Sequence, residues 1–193
     1  MLGRCLAPVL LVAPFALAAG VLADEVGDEL YRSGHYERAL ESWEKAAAAG
    51  DVQAAYRLGA AYADGAVVKQ DYREARKWYR LAAEAGDAEA QFDLGSIYDN
   101  GFEVQKSAAE AARWYREAAM RGHMACQYNL ATMYERGEGV EQDLVQAYMW
   151  YTLAAQQGFA GTRYGNRDTL AQKMSDSEIK TALDLAQDFK PIE

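Results

Sequence analysis

Two pairs of side chains in this 193-residue chain have residue types and spacing that chemistry could use. Ser42-Trp43-Glu44-Lys45 is an S-x-x-K element, in which a lysine three residues on can serve an acylating serine. The companion S-D-N and K-T-G elements are absent from the sequence. Ser42 also falls inside a segment of helical pattern, where Lys45 is an ordinary surface residue. His123 and Cys126 form the second pair, three apart at the start of another helical segment, a spacing that can chelate a metal. His35 is the only other histidine and sits in a turn signal beside Gly34. No glycine-rich phosphate loop and no basic cluster is present. The sequence therefore offers no catalytic set, no metal site and no cofactor motif, and the question becomes what its regular elements are built to hold.

Those elements repeat. Gly50, Gly86, Gly122 and Gly158 are 36 residues apart, and the same spacing links Leu58, Leu94 and Leu130. It links Tyr62, Tyr98 and Tyr134, then Gly65, Gly101 and Gly137, then Val68, Val104 and Val140. The pairs Trp78-Tyr79, Trp114-Tyr115 and Trp150-Tyr151 keep it too. A fixed period of this length is the mark of stacked supersecondary units. Each unit reads as two helices. Helix A of the first unit spans about 52–64, with Ala54, Leu58 and Tyr62 on one face. Gly65 stops it, since glycine tolerates the left-handed conformation of a helix end. Helix B opens at Asp71, where Asp71 and Glu74 have capping-box spacing, repeated by Ser107/Glu110 and Asp143/Gln146. One helix pair cannot bury both faces of this pattern, so neighbouring units must stack.

The register also assigns the second reactive pair. Cys126 aligns with Ala54 and Ala90 as a small packing residue, and His123 aligns with the capping Asp51 and Asp87. At the ends the motif decays: residues 24–50 read as a shortened unit, and Asn166 stands where the next repeating leucine would fall. Two further helices are expected over about 162–173 and 176–189, the second opened by Ser175 and Glu178 at capping-box spacing.

The N-terminus carries a different signal. Arg4 precedes an uncharged stretch from Cys5 to Ala23 ending in Val21-Leu22-Ala23, as in a secretory signal peptide. Cleavage is expected after Ala23, with Ala19 as the second choice, giving a periplasmic or secreted protein that is not inserted in a membrane. Losing Arg4 takes the net charge from −9 to −10. A chain this acidic repels phosphate backbones and anionic lipid, which argues against nucleic acid as a partner. Cys126 alone remains after cleavage, so packing rather than an internal disulfide holds the fold.

The pattern carried by Ala54, Leu58-Gly59, Tyr62, Gly65, Val68, Asp71, Ala75, Trp78-Tyr79, Ala82-Ala83 and Gly86 resembles the Sel1-like repeat family, relatives of tetratricopeptide repeats. Departures are mild: Ala131 replaces the glycine after leucine, and Ser107 the capping aspartate. The resemblance implies an all-α, right-handed α-solenoid of 36-residue units. The sequence is then divided as signal peptide 1–23, partial repeat 24–50, repeats 51–86, 87–122 and 123–158, and C-terminal capping helices 159–193. It implies a non-catalytic scaffold or adaptor of the bacterial envelope with a protein or peptide partner. Cysteine-rich relatives linked to β-lactam or cell-wall hydrolysis supply the alternative, although the cysteine pair those relatives carry in each unit is missing here.

A binding surface follows from helical geometry. With Leu58 at the centre of the buried face, Tyr56 falls about 160° away at 100° per residue. The register places Tyr56, Phe92 and Tyr128 in one stripe, flanked by Asp99, Asn100, Glu135 and Arg136. Helices A line the concave side of such solenoids, and an aromatic ladder with polar neighbours suits an extended peptide. The same rings could instead pack between adjacent A helices.

Overall fold

The computed structural model of the protein describes residues 25–159 and 166–192. The expected signal peptide and residues 160–165 lie outside the described residues. All regular structure among the described residues is helical. The chain divides into two compact units, Met1–Ala54 and Ala55–Glu193.

In the first unit, α1 (residues 25–32) and α2 (Tyr36–Ala48) are joined by a tight turn at Gly34, whose φ of +81° is a left-handed value. Trp43 is buried directly over Gly27, where a Cβ would collide with the indole. Its Nε1–H donates to Asp28 Oδ1 at 3.2 Å, and Tyr31 lies 5.4 Å from its ring. Ser42 sits inside α2 and Lys45 in its last turn.

Helix α3 (Val52–Asp64) crosses into the second unit, which continues with α4 (Tyr72–Glu84), α5 (Ala88–Asn100), α6 (Ala108–Met120), α7 (Met124–Arg136) and α8 (Leu144–Gln156). Each is 13 residues long, as the 36-residue period requires. Successive helices pack on one another from α4 to α8, so A and B helices alternate as helix–turn–helix repeats of an α-solenoid fold. Leu58, Leu94 and Leu130 are fully inaccessible, and Tyr79, Tyr115 and Tyr151 are buried beside them. Gly59 and Gly95 explain how the tyrosines fit: a Cβ there would stand 2.5 and 2.6 Å from the Tyr79 and Tyr115 rings. Absence of a side chain lets each ring lie on the helix A backbone.

Polar side chains join one repeat to the next. Gln91 Nε2 donates to the Ala83 carbonyl at 2.9 Å and Gln127 Nε2 to the Ala119 carbonyl at 3.2 Å. Arg80 and Arg116 reach the hydroxyls of Tyr98 and Tyr134, at 2.5 and 3.0 Å. The A–B loops also reach back. Glu103, at φ +50°, accepts from the Tyr72 N–H at 3.1 Å, and Phe102 stacks on Tyr72 with centroids 4.7 Å apart. One repeat later Gly139 takes the same left-handed position and presses on the backbone of Ala108, where no Cβ fits.

The expected caps form, with one correction. Asp71 accepts from the Arg73 and Glu74 N–H groups, Ser107 from Glu110 and Asp143 from Gln146. The reciprocal half of the box is found at Ser175–Glu178 but not at the other three. The N–H groups of Asp71, Ser107 and Asp143 instead donate to the Tyr62, Tyr98 and Tyr134 carbonyls at 2.9, 2.9 and 3.0 Å, which leaves the box side chain no donor to take, and Glu74 and Glu110 turn to Lys77 and Arg113.

At the C-terminal end, α9 (Asn166–Ala171) and α10 (Asp176–Asp188) both pack on α8. Within the expected 162–173 helix, 166–171 is helical, while 162–165 lies outside the described residues. Asn166 does replace the repeating leucine, but Leu170 takes up the Tyr62/Tyr98/Tyr134 register and is fully buried. Phe189 meets Trp150 edge-on, and the Ile192 N–H donates to the Met120 carbonyl at 3.0 Å. Among the described residues no helix is long and apolar enough to cross a membrane.

Candidate partner-binding face

The three stripe residues occupy equivalent places in successive repeats. Each ring lies against the buried tyrosine of its own helix B: Tyr56 on Tyr79 at 5.7 Å, Phe92 on Tyr115 at 6.2 Å, and Tyr128 on Tyr151 at 5.4 Å. The next repeat supplies a second neighbour. Phe92 stacks on His123 at 5.2 Å, and Tyr128 meets Phe159, the residue in register with His123, at 4.9 Å. All three rings are therefore half-buried rather than turned fully outward, and the next repeat covers one side of Phe92 and of Tyr128.

Beside the stripe runs a polar seam that the helical-wheel reading missed. Asp93 accepts hydrogen bonds from the hydroxyls of Tyr79 and Tyr56. The Tyr115 hydroxyl bonds Asn129 of the following repeat and Ser96 of its own. Tyr151 donates to Glu135 Oε2 at 2.9 Å and lies 3.0 Å from the Thr132 hydroxyl. Asn166 Nδ2 donates to the Tyr128 hydroxyl at 2.7 Å and approaches that of Tyr151 at 3.5 Å. A short polar side chain thus meets the tyrosines at each step: the Asp93 carboxylate, the Asn129 amide in the same register position, and the Asn166 amide one position later. The signal was in the sequence: Arg57, Asp93 and Asn129 directly follow Tyr56, Phe92 and Tyr128.

Burial sets the electrostatics. It raises the Asp93 carboxyl to about 6, with Glu89 adding to the rise and the two tyrosine hydroxyls opposing it. Burial, then the Asp93 charge, pushes Tyr56 up to about 12 and Tyr79 further upward. Tyr115 is raised by burial and then by Asp99, and Tyr151 by burial to about 12. These phenols are hydrogen-bond donors at neutral pH. Burial also drives the Cys126 thiol strongly upward, with Glu89 and Asp93 adding to it, so the sulfur is a protonated packing atom rather than a nucleophile. Its partner in sequence, His123, caps α7: Nδ1 accepts the Cys126 N–H at 3.2 Å, as the register implies.

The fold gathers part of the expected flank. Asp99, Tyr128 and Arg136 line one cavity of about 250 Å³ together with Asn129, Thr132 and Asn166. Arg136 is exposed and held only loosely, 3.8 Å from Glu138. Asn100 turns back on its own helix, donating to the Ser96 carbonyl at 2.9 Å. Glu135 is drawn under Tyr151 and lies 3.6 Å from Lys173. Tyr56 and Phe92 belong to earlier repeats and do not line this cavity. The arrangement offers amide, hydroxyl, carboxylate and guanidinium groups around an aromatic edge, which is equipment for holding a polar chain.

Comparison with known proteins agrees with this architecture. The Sel1 repeat family matches residues 23–51, 52–87, 88–123 and 125–159. A Sel1 repeat protein from Oxalobacter formigenes is 37% identical, with a TM-score of 0.61 over 70% of this chain and 98% of that one. A protective antigen present in uropathogenic Escherichia coli strains, displaying an SLR fold, is 27% identical with a TM-score of 0.51. That likeness covers 90% of this chain and 46% of the antigen. None of the curated proteins compared matches this chain. Four matched repeats covering more than half of the residues, on stacked helix pairs of the same design, place the chain in the Sel1 repeat family, whose members generally serve as protein-interaction scaffolds.

Proposed function

We propose that this protein is an exported, non-catalytic adaptor of the bacterial envelope that holds an extended segment of a partner protein along the concave helix A face. The observation that carries the reading is the cavity at the third repeat. There the half-exposed Tyr128 ring, Asp99 and the loosely tethered Arg136 converge beside the amides of Asn129 and Asn166. Aromatic rings and arginine are favoured anchors because they bury much surface and bond in fixed directions. Tyr56 and Phe92 extend the same edge through earlier repeats, which suits a ligand longer than one residue. The uncharged run from Cys5 to Ala23 supports export to the periplasm or beyond. The acidic net charge of −9 supports a protein partner over nucleic acid.

The test is a comparison of Arg136→Ala and Asp99→Asn with the wild type in partner capture from a native periplasmic extract. Both variants are expected to retain the melting temperature and to lose captured partner. Undiminished capture by both would place binding elsewhere.

A further inference from the structure

His123 is the one imidazole at its register position: Asp51, Asp87 and Phe159 stand there in the other units. It does two jobs at once. Nδ1 accepts the Cys126 N–H at 3.2 Å, and Nε2 lies 3.3 Å from Glu89 Oε1 on α5 of the preceding repeat. Nδ1 must be bare to accept the Cys126 N–H, so a neutral ring carries its hydrogen on Nε2, the nitrogen that faces Glu89. The ring is also stacked on Phe92 at 5.2 Å and is largely enclosed, with 11% of the side chain exposed.

We propose that His123 is a proton-operated latch between the second and third repeats: the neutral ring caps α7 while tying Glu89, and a second proton on Nδ1 forces the cap open. The reason is donor counting. An imidazolium has two N–H donors and no acceptor, so Nδ1–H would face the Cys126 N–H donor to donor. A positive charge at a helix N-terminus is disfavoured as well. The Glu89 contact survives and strengthens, so the ring swings towards α5 rather than leaving the joint. Imidazole is the side chain whose ordinary titration falls between pH 5 and 8.

The charges around the latch come from three helices and the linker. Glu89 and Asp93 face it from α5, the Cys126 thiol lies behind it on α7, and Tyr56 of α3 hydrogen-bonds Asp93. Arg121, two residues earlier, is turned away to Glu117 and lies over Gly86. Asp93 titrates nearby, so its contribution must be separated.

The Cys126 amide reports the latch directly. Long-range proton–nitrogen spectra should show His123 with Nε2 protonated and Nδ1 bare at pH 7.5. Between pH 7.5 and 5, exchange at the Cys126 amide, divided by its intrinsic rate, should rise roughly 2- to 30-fold, the equivalent of a lost N-cap. H123D should abolish this rise, and H123N, also a capping residue without titration, should do so if H123D fails to fold. D93N should leave the rise in place. An Nδ1–H tautomer at neutral pH, a rise that persists in H123D or H123N, or one that disappears in D93N would each overturn the proposal.

Discussion

Replacing Asp93 by asparagine should stabilise the protein at neutral pH. Asp93 lies half-buried on helix A, held by the hydroxyls of Tyr79 and Tyr56, and its carboxyl rises from an ordinary 3.8 to about 6 because burial penalises the charge. A folded-state pKa above the unfolded value means the fold prefers the protonated acid. Stability from this group is therefore fully present below about 3.8 and is lost as pH climbs through about 6. A displacement of about two pH units at about 1.36 kcal/mol each sets a ceiling near ~3 kcal/mol. Part of the carboxylate still meets water, and screening reduces the expected value to about 1–2 kcal/mol. Asparagine keeps a carbonyl oxygen that can accept from the tyrosine hydroxyls. Urea melts at pH 7.5 should show Asp93→Asn more stable than wild type by about 1–2 kcal/mol, with the advantage vanishing near pH 4. Equal or lower stability of the variant at pH 7.5, or an advantage independent of pH, would refute the reasoning.

Three further outcomes are expected. Leu94→Ala removes a fully buried side chain from the middle repeat and should cost about 2–5 kcal/mol in urea melts, whereas a loss below about 0.5 would mean the register is wrong. Gly139→Ala and Gly158→Ala both strain a left-handed residue, by roughly 1–2 kcal/mol. Only Gly139 also presses on Ala108, so its variant should melt at the lower temperature by a clear margin, and equal melting would contradict the packing described. N-terminal sequencing of protein from a periplasmic fraction should begin at Asp24, or near Gly20 if the second site is used; an integral membrane form retaining residues 1–19 would defeat the export reading.

Much of the fold was legible because a solenoid repeats its constraints. Leu58, Leu94 and Leu130 announce a buried line three times over, and Gly101 and Gly137 end α5 and α7 for a reason the sequence states. His123 was assigned to a cap by register alone, and its Nδ1 does cap α7. What stayed hidden depends on contacts between repeats. An angle measured from Leu58 turned Tyr56, Phe92 and Tyr128 outward, but it could not see that His123 and Phe159 arrive from the following repeat to cover one flank. Asp93 and Asn129 were overlooked for the same reason, since their partners sit on the preceding helix B. Glu135 looked like surface until α8 brought the Tyr151 hydroxyl to it. The capping boxes at Asp71, Ser107 and Asp143 are half-formed because the Tyr62, Tyr98 and Tyr134 carbonyls of the preceding helix A already take the cap N–H, a contact that spacing within the box does not reveal.

The central claim is that the partner is held on the helix A face at the third repeat. It is tested most directly by measuring the affinity of the captured partner segment for three proteins: wild type, Arg136→Glu and Arg73→Glu. Arg136 is exposed at the cavity with Tyr128, whereas Arg73 is exposed in the first turn of α4, a helix B. Both substitutions change the net charge equally, so long-range electrostatics cancel in the comparison. The account predicts at least a roughly tenfold loss for Arg136→Glu, equivalent to about 1.4 kcal/mol, with Arg73→Glu binding like wild type. Equal affinities for all three proteins, or a loss confined to Arg73→Glu, would contradict it.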